Sequence, residues 1–140
     1  MDDRLVETVR GRNGGQWRVS RPTWTSMAAW LGEAPAPLEV DDGYAELVRR
    51  WLRTFGPGTE DDIVWWLGST RTAVRRALAA VGAVEVELDS GATGHVLPDD
   101  LVPPEPVEPW AALLPVLDAT TMGWKHRDFY LDPEHTPYLF

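Results

Sequence analysis

Apolar side chains recur every three to four residues along the middle of the chain. From residue 44 to residue 55 they occupy positions i, i+3, i+4, i+7, i+8 and i+11, a spacing that places them on one side of a helix. Gly56 and Pro57 end this helix, because proline cannot continue it. The positions that we expect to be buried are Tyr44, Leu47, Val48, Trp51, Leu52 and Phe55.

Two shorter helices are predicted to follow. The first is capped by Thr59 and carries three acidic residues in its first turn, where the helix dipole stabilises negative charge, and it ends at Gly68. The second is capped by Ser69 or Thr70 and ends at Gly82. The expected core positions are Ile63, Trp66 and Leu67 in the first of these helices and Val74, Ala77, Leu78 and Val81 in the second.

The period of the pattern changes from 3.6 to 2 after Gly82. Val84, Val86 and Leu88 alternate with acidic residues, "SGATG" forms a loop and "HVLP" returns, which predicts a β-hairpin. Three helices followed by a hairpin are the element order of a winged helix. We therefore predict an α+β fold: a winged helix, made of a three-helix helix-turn-helix bundle and a β-hairpin wing, with flanking short strands and a helix.

Segments rich in proline and glycine separate this region from both ends of the chain. Upstream, "QWRVS" predicts a short strand and "RPTWTSMAAWLG" a helix with Pro22 in its first turn and Gly32 at its end. The linker "GEAPAPLEVDD" indicates a domain boundary near residue 40. We predict an N-terminal extension over 1–40 that belongs to a neighbouring unit, a winged-helix domain over 41–100, and a C-terminal extension over 101–140 with strands or short turns that starts a further β-rich unit. The apolar stripe expected in the upstream helix is Trp24, Met27, Trp30 and Leu31.

The third helix of the predicted bundle carries the candidate chemistry. At 100° per residue, Thr72 and Arg76 project away from the buried side, Arg75 lies on the flank, and Arg71 lies nearer the edge of the buried side. Arginine can fork onto guanine or clamp a phosphate, so this face fits the major groove of double-stranded DNA. The predicted DNA-binding residues are Arg71, Thr72, Arg75 and Arg76.

Charge keeps a second interpretation open. The 140 residues include 13 lysines and arginines against 22 aspartates and glutamates, a formal net charge of -9, which argues against non-specific nucleic-acid binding by the chain as a whole. The polar side of the hairpin is acidic at Glu85, Glu87 and Asp89, and the arginines of the third helix can pair with the acidic residues 60–62. A structural, protein-binding or oligomerisation module therefore remains the alternative. Trp65 and Trp66 cannot both face inward from one helix, so at least one is expected at an edge or a contact surface.

Other chemistry is poorly represented. There is no cysteine, no apolar run of the roughly 20 residues that span a bilayer, and no phosphate-binding or zinc motif, so we expect no metal, no cofactor and no membrane partner, and a cytoplasmic location. His95, His126 and His135 lie too far apart in sequence to suggest ligands. Asp118 suits a cap or a turn, and "KHRD" at 125–128 suits a turn that could also touch phosphate.

Three stretches of the sequence resemble a known family. "FGPGTEDDIVWWLG", the arginine helix after it, and "LLPVLD…MGW…RD" are similar to the winged-helix DNA-binding family that includes bacterial interstrand-crosslink-repair DNA glycosylases, over about residues 42–132. The resemblance implies tandem winged helices followed by a β-rich domain, which together form a concave surface that grips duplex DNA.

The chain departs from that family at its catalytic motif. The glycosylases carry a Gln-x-Gln-type motif, whereas the single glutamine here, Gln16, is followed by Trp17 and Arg18. No catalytic residue is therefore carried over, and we expect the chain to bind DNA without catalysis of its own. An active DNA glycosylase remains a further alternative, for which Asp118 and Asp128 are the carboxylates to consider. We interpret the chain as an internal piece of a longer protein, a form that favours dimerisation or exchange of elements between copies.

Overall fold

The protein is described by a computed structural model covering residues 5–8, 23–33, 36–115 and 118–138. It divides into two compact units, Met1–Leu38 and Glu39–Phe140. The mixture of helices with small antiparallel sheets confirms the predicted α+β class.

The first unit contains a two-stranded antiparallel sheet and a short helix. Strand β1 (Leu5–Thr8) pairs with β2 (Thr23–Ser26), and helix α1 (Met27–Leu31) follows directly. The prediction of a helix from residue 21 onwards was therefore wrong for its first half. The β-branched threonines on either side of Trp24 favour a strand, and the hydroxyl of Ser26 accepts the N–H of Ala29 at 3.1 Å, so the helix begins only at residue 27. The strand predicted over "QWRVS" and the position of Pro22 lie outside the described residues.

Three helices form the body of the second unit, and their predicted positions are confirmed. They are α2 (Val40–Phe55), α3 (Glu60–Leu67) and α4 (Arg71–Ala80). Thr59 caps α3 with its hydroxyl and Thr70 caps α4 in the same way, at 3.2 Å from the N–H groups of Asp62 and Ala73. Gly68 ends α3 in the left-handed region, with φ of 57°, which turns the chain sharply into α4.

The core of this unit lies between α2 and α4. Nine of the thirteen expected positions are buried there, Tyr44 and Leu67 are partly buried, and two positions are exposed. Leu47 is exposed because it lies about 100° around α2 from the buried Val48. Trp66 is also exposed, since Ile63 takes the central position of the short helix α3 and leaves Trp66 beside the ring of Phe55 at 6.1 Å. The cluster of buried side chains comprises Val48, Trp51, Leu52, Phe55, Ile63, Val74, Ala77, Leu78, Val81 and Leu97.

The predicted hairpin is confirmed. Strand β3 (Val84–Glu87) pairs antiparallel with β4 (Thr93–Val96), and Glu85 is opposite His95. A second attachment holds the hairpin to the α2–α3 loop, because Gly58 and His95 exchange backbone hydrogen bonds of 3.3 and 2.8 Å. The hairpin is thus fixed from the α3 side as well as from the end of α4.

Strands or short turns were expected beyond the hairpin, and the described residues there, 101–115 and 118–138, contain turns and short helices but no strand. Residues 101–115 contain no regular secondary structure and are exposed, and the five prolines among them remove the N–H groups that a sheet requires. Helix α5 (Ala119–Met122) and a 3₁₀ helix (Pro133–Tyr138) follow. Among the described helices, none has the length and apolar character needed to cross a bilayer.

Candidate nucleic-acid interface

Helix α4 presents all four predicted DNA-binding side chains to solvent. Arg71 and Thr72 lie in its first turn, and Arg75 and Arg76 follow one turn later. Its opposite side is fixed by the buried Val74 and by the rest of the core stripe, so the exposed face cannot rotate away. The helix is therefore a rigid support for a row of guanidinium groups.

Carboxylates already hold these guanidinium groups. Glu60, the first residue of α3, accepts hydrogen bonds from Arg71 at 2.9 Å and from Arg75 at 2.7 Å through its two oxygens. Arg71 also pairs with Asp61, and Arg76 lies 3.3 Å from a carboxylate oxygen of Asp41. The pairing of these arginines with residues 60–62 is thus confirmed for Glu60 and Asp61.

Glu60 is the central group of this network because it serves two arginines at once. Its side chain is only 18% exposed, and the hydrogen bond from Arg75, together with that from Arg71, lowers its pKa against the opposing effect of burial. The same hydrogen bond raises the pKa of Arg75. The face of α4 therefore carries oriented but largely neutralised cations.

A cleft of about 320 Å³ separates this face from the hairpin. Glu85 of β3 lines the cleft together with Arg75 and Glu60, so the acidic side of the hairpin lies beside the arginine helix. His95 also lines it, and its buried Nδ1 has no hydrogen-bond partner among the described residues. A phosphate approaching α4 from the hairpin side thus meets two carboxylates as well as an arginine.

The third acidic residue of α3 has a different role. Asp62 is only 3% exposed and completes a capping box, because one carboxylate oxygen accepts the N–H and the hydroxyl of Thr59 at 3.0 and 2.6 Å. Its other oxygen accepts the backbone N–H groups of Lys125 and His126, at 2.9 and 3.1 Å. The "KHRD" segment is consequently held against α3 through its main chain, and it continues into a turn closed on the carbonyl of Arg127.

Aromatic side chains cover the surface where this segment meets α3. Trp124 donates its indole N–H to the carbonyl of Phe55 at 3.0 Å and packs edge-on against the ring of Phe129 at 5.2 Å. Trp65 and Trp66 are 41% and 45% exposed, so both of these neighbouring tryptophans lie at the surface. We call Trp65, Trp66, Trp124, Phe129 and Tyr130 the aromatic face.

The carboxylates considered for catalysis do not form a site. Asp118 caps α5, accepting the N–H of Thr120 at 2.9 Å, and this hydrogen bond lowers its pKa, so the predicted cap role is confirmed. Asp128 is exposed in a turn and, like Asp118, does not line the cleft beside α4. Within the described residues, no cluster of histidine and carboxylate side chains could hold a metal ion.

Comparison with known proteins identifies the family. The chain matches the sequence model of the family described as DNA glycosylase AlkZ-like over residues 4–140, so it belongs to that family and is a relative of the crosslink-repair glycosylases. The resemblance found in the sequence is thereby confirmed, and it associates the chain with DNA repair. No curated protein and no solved structure shows significant similarity to it.

Proposed function

We propose that the chain is a DNA-binding winged-helix module of a glycosylase-like repair protein and has no catalytic activity of its own. In this interpretation α2, α3 and α4 are the three-helix bundle, α4 is the helix that enters the major groove, and β3–β4 are the wing. The proposal rests chiefly on an exposed row of side chains on α4, a helix whose other side packs in the core; the row comprises Arg71, Thr72, Arg75 and Arg76. The chain that carries this helix belongs to a DNA glycosylase family.

The ion pairs are compatible with this role. Exposed pairs of this kind contribute about 0.2–1 kcal/mol each, so a phosphate that offers several oxygens can replace the carboxylates at small cost. Glu60 meanwhile holds the guanidinium groups of Arg71 and Arg75 side by side, and it competes with phosphate for both of them.

The proposed absence of catalysis is supported by the lack of the residues that a glycosylase needs. The Gln-x-Gln motif is missing from the sequence, and the two carboxylates considered instead are a helix cap and an exposed turn residue. Base excision requires a pocket for the extruded base with an activating group inside it. A glycosylase assay on alkylated duplex checks this part of the proposal, and base release above background would contradict it.

Duplex binding is tested by fluorescence anisotropy at about 50 mM salt, where phosphate contacts contribute most. A triple variant of Arg71, Arg75 and Arg76 to alanine is compared with a matched variant of Arg49, Arg50 and Arg53, which removes the same charge from exposed positions on α2. We expect only the α4 variant to lose affinity, and its log–log salt slope to fall by about 2.7, or 0.9 for each lost contact. Equal binding by both variants and the wild type, or no binding at all, overturns the assignment to α4.

One observation favours a second candidate function. The aromatic face is exposed while the arginines of α4 are paired with carboxylates, the combination expected of a structural, oligomerisation or protein-binding module. In that case the chain binds no duplex, and substitutions on the aromatic face change its association state instead.

A further inference from the structure

Two apolar surfaces among the described residues of the second unit are exposed. The first is segment 101–115, "LVPPEPVEPWAALLP", which contains no helix or strand and in which every residue is exposed. Its Trp110 is 76% exposed and its Leu113 is fully exposed. Exposed apolar side chains in a proline-rich segment are typical of a chain that binds to another protein surface.

The second surface is the aromatic face, whose side chains and backbone are fixed by contacts with the helices beneath it. The ring of Trp124 contacts Phe55 at 5.4 Å and Tyr130 at 5.5 Å, while Phe129 and Tyr130 contact each other at 4.8 Å. The Asp62 carboxylate fixes the backbone of the same segment. These rings are therefore pre-organised, which lowers the entropic cost of binding a partner.

Cationic groups border this face. The Arg127 guanidinium lies over the ring of Trp65 at 5.4 Å, and the exposed Lys125 forms no ion pair with any residue that the structure describes. The other acidic or basic groups of the same turn are Asp128 and His126, both exposed. The arginines of α2 and α4 differ from Lys125, because each is paired with a carboxylate.

The chemistry of the segment complements that of the face. Proline-rich extended chains bind to surfaces lined with aromatic rings, because their backbone is already ordered and the proline rings pack flat on aromatic side chains. Glu105 and Glu108 stand between the prolines and carry the charge opposite to that of Lys125 and Arg127. Within one chain the segment does not cover the face, since both are exposed.

We propose that the aromatic face of one copy binds residues 101–115 of a second copy of this chain. A two-fold arrangement forms the contact twice, once in each direction, and so buries both exposed surfaces of both copies. The surface is separate from α4, and the proposal does not depend on duplex binding by the arginines.

A synthetic peptide of residues 101–115, labelled at its N-terminus, tests the contact directly by anisotropy with the full chain. We expect the peptide to bind, and Trp65→Ala or Trp66→Ala in the protein to weaken it by about tenfold or more, the effect of removing an interface anchor. Trp30→Ala, an exposed tryptophan of the first unit, is the matched control and leaves peptide binding unchanged. Trp110→Ala in the peptide weakens binding without any effect on protein folding.

Association of the full chain is measured by light scattering at about 100 µM, a concentration at which a dimer with a Kd of about 10 µM or lower is the main species. We expect twice the chain mass, and a return to the monomer mass when excess peptide is added. Lys125→Glu, and Glu105→Lys combined with Glu108→Lys, each weaken association, and an equimolar mixture of the two variants restores it. A peptide that does not bind, a monomeric chain at this concentration, or a mixture that does not restore association overturns the proposal. Binding of a single-stranded oligonucleotide at Trp65 and Trp66 in place of the peptide also overturns the proposal, and it indicates that the aromatic face binds nucleic acid.

Discussion

Replacing Asp62 tests the physical account of the second unit most directly. The carboxylate accepts four hydrogen bonds, two from Thr59 at the start of α3 and two from the backbone of Lys125 and His126. Asp62→Ala removes all four. Asp62→Asn keeps one oxygen but replaces the other with an amide NH₂ group, which cannot accept a hydrogen bond. It therefore cannot accept both from Thr59 and from the backbone of residues 125 and 126.

The expected magnitude follows from the environment of each bond. Loss of the cap at Thr59 costs about 1 kcal/mol. The two bonds to the backbone of 125 and 126 are charge-assisted, and each contributes about 1.5 kcal/mol, at the low end of the usual range because these residues are exposed and water replaces the partner. We therefore expect Asp62→Ala to lower the free energy of unfolding by about 4 kcal/mol, a large part of the roughly 5–15 kcal/mol available to a domain.

Urea unfolding followed by circular dichroism measures the loss, and amide hydrogen exchange at Lys125 and His126 localises it. Asp61→Asn is the control, because Asp61 is adjacent, carries the same charge and is partly exposed in a pair with Arg71. We expect it to cost less than about 1 kcal/mol. A loss below about 1 kcal/mol for Asp62→Ala, with unchanged protection of the two amides, would refute the reasoning, since such a value is that of a surface pair.

Three further predictions rest on single contacts. Glu60→Gln releases Arg75 and leaves Arg71 with one partner fewer. We therefore expect duplex affinity, measured by anisotropy, to rise by about two- to fivefold, which corresponds to the loss of one ion pair of about 0.4–1 kcal/mol. Unchanged affinity would mean that Glu60 does not compete with phosphate. The pKa of Glu60 is lowered in the folded state, chiefly by Arg75, so its contribution to stability is present above the ordinary glutamate pKa of 4.5 and is lost as the pH falls through the lowered value. Stability curves measured between about pH 7 and pH 2 therefore fall less steeply for Glu60→Gln than for the wild type at their acidic end, and parallel curves contradict this assignment. Gly58→Ala places a Cβ against the ring of Trp51, so we expect it to lower the free energy of unfolding in urea by about 1–3 kcal/mol. The control is Gly91→Ser, whose side chain meets open space but whose φ is positive, and we expect it to lower the same free energy by about 1 kcal/mol through backbone strain alone.

The elements that local signals specify could be predicted from the sequence. Thr59 and Thr70 mark the starts of α3 and α4, Gly68 marks the turn between them, and the change of period after Gly82 marks the hairpin. These signals act over a few residues, and the packing of the second unit agrees with them. The strand β2 was missed because its pairing with β1 joins residues about 18 positions apart, and the helical spacing of Trp24, Met27 and Trp30 masked it.

The candidate interface was predictable in its position and in part of its electrostatics. The exposed side of α4 follows from helical geometry, and the pairing of its arginines with residues 60–62 was expected, whereas the pair with Asp41 of α2 was not. Asp62 shows the limit most clearly. Its capping role is visible from Thr59, but its bonds to residues 125 and 126 span more than 60 positions and leave no local pattern.

The attachment of the hairpin to the α2–α3 loop determines the direction from which a ligand can reach α4. Two backbone hydrogen bonds between Gly58 and His95 hold the hairpin against this loop, with the Glu85 carboxylate beside the cleft. In the proposed DNA-binding role, the Glu85 carboxylate repels phosphate from the hairpin side of α4. Under that proposal the duplex approaches α4 from the other side, so the position of the hairpin restricts the orientation of the bound DNA.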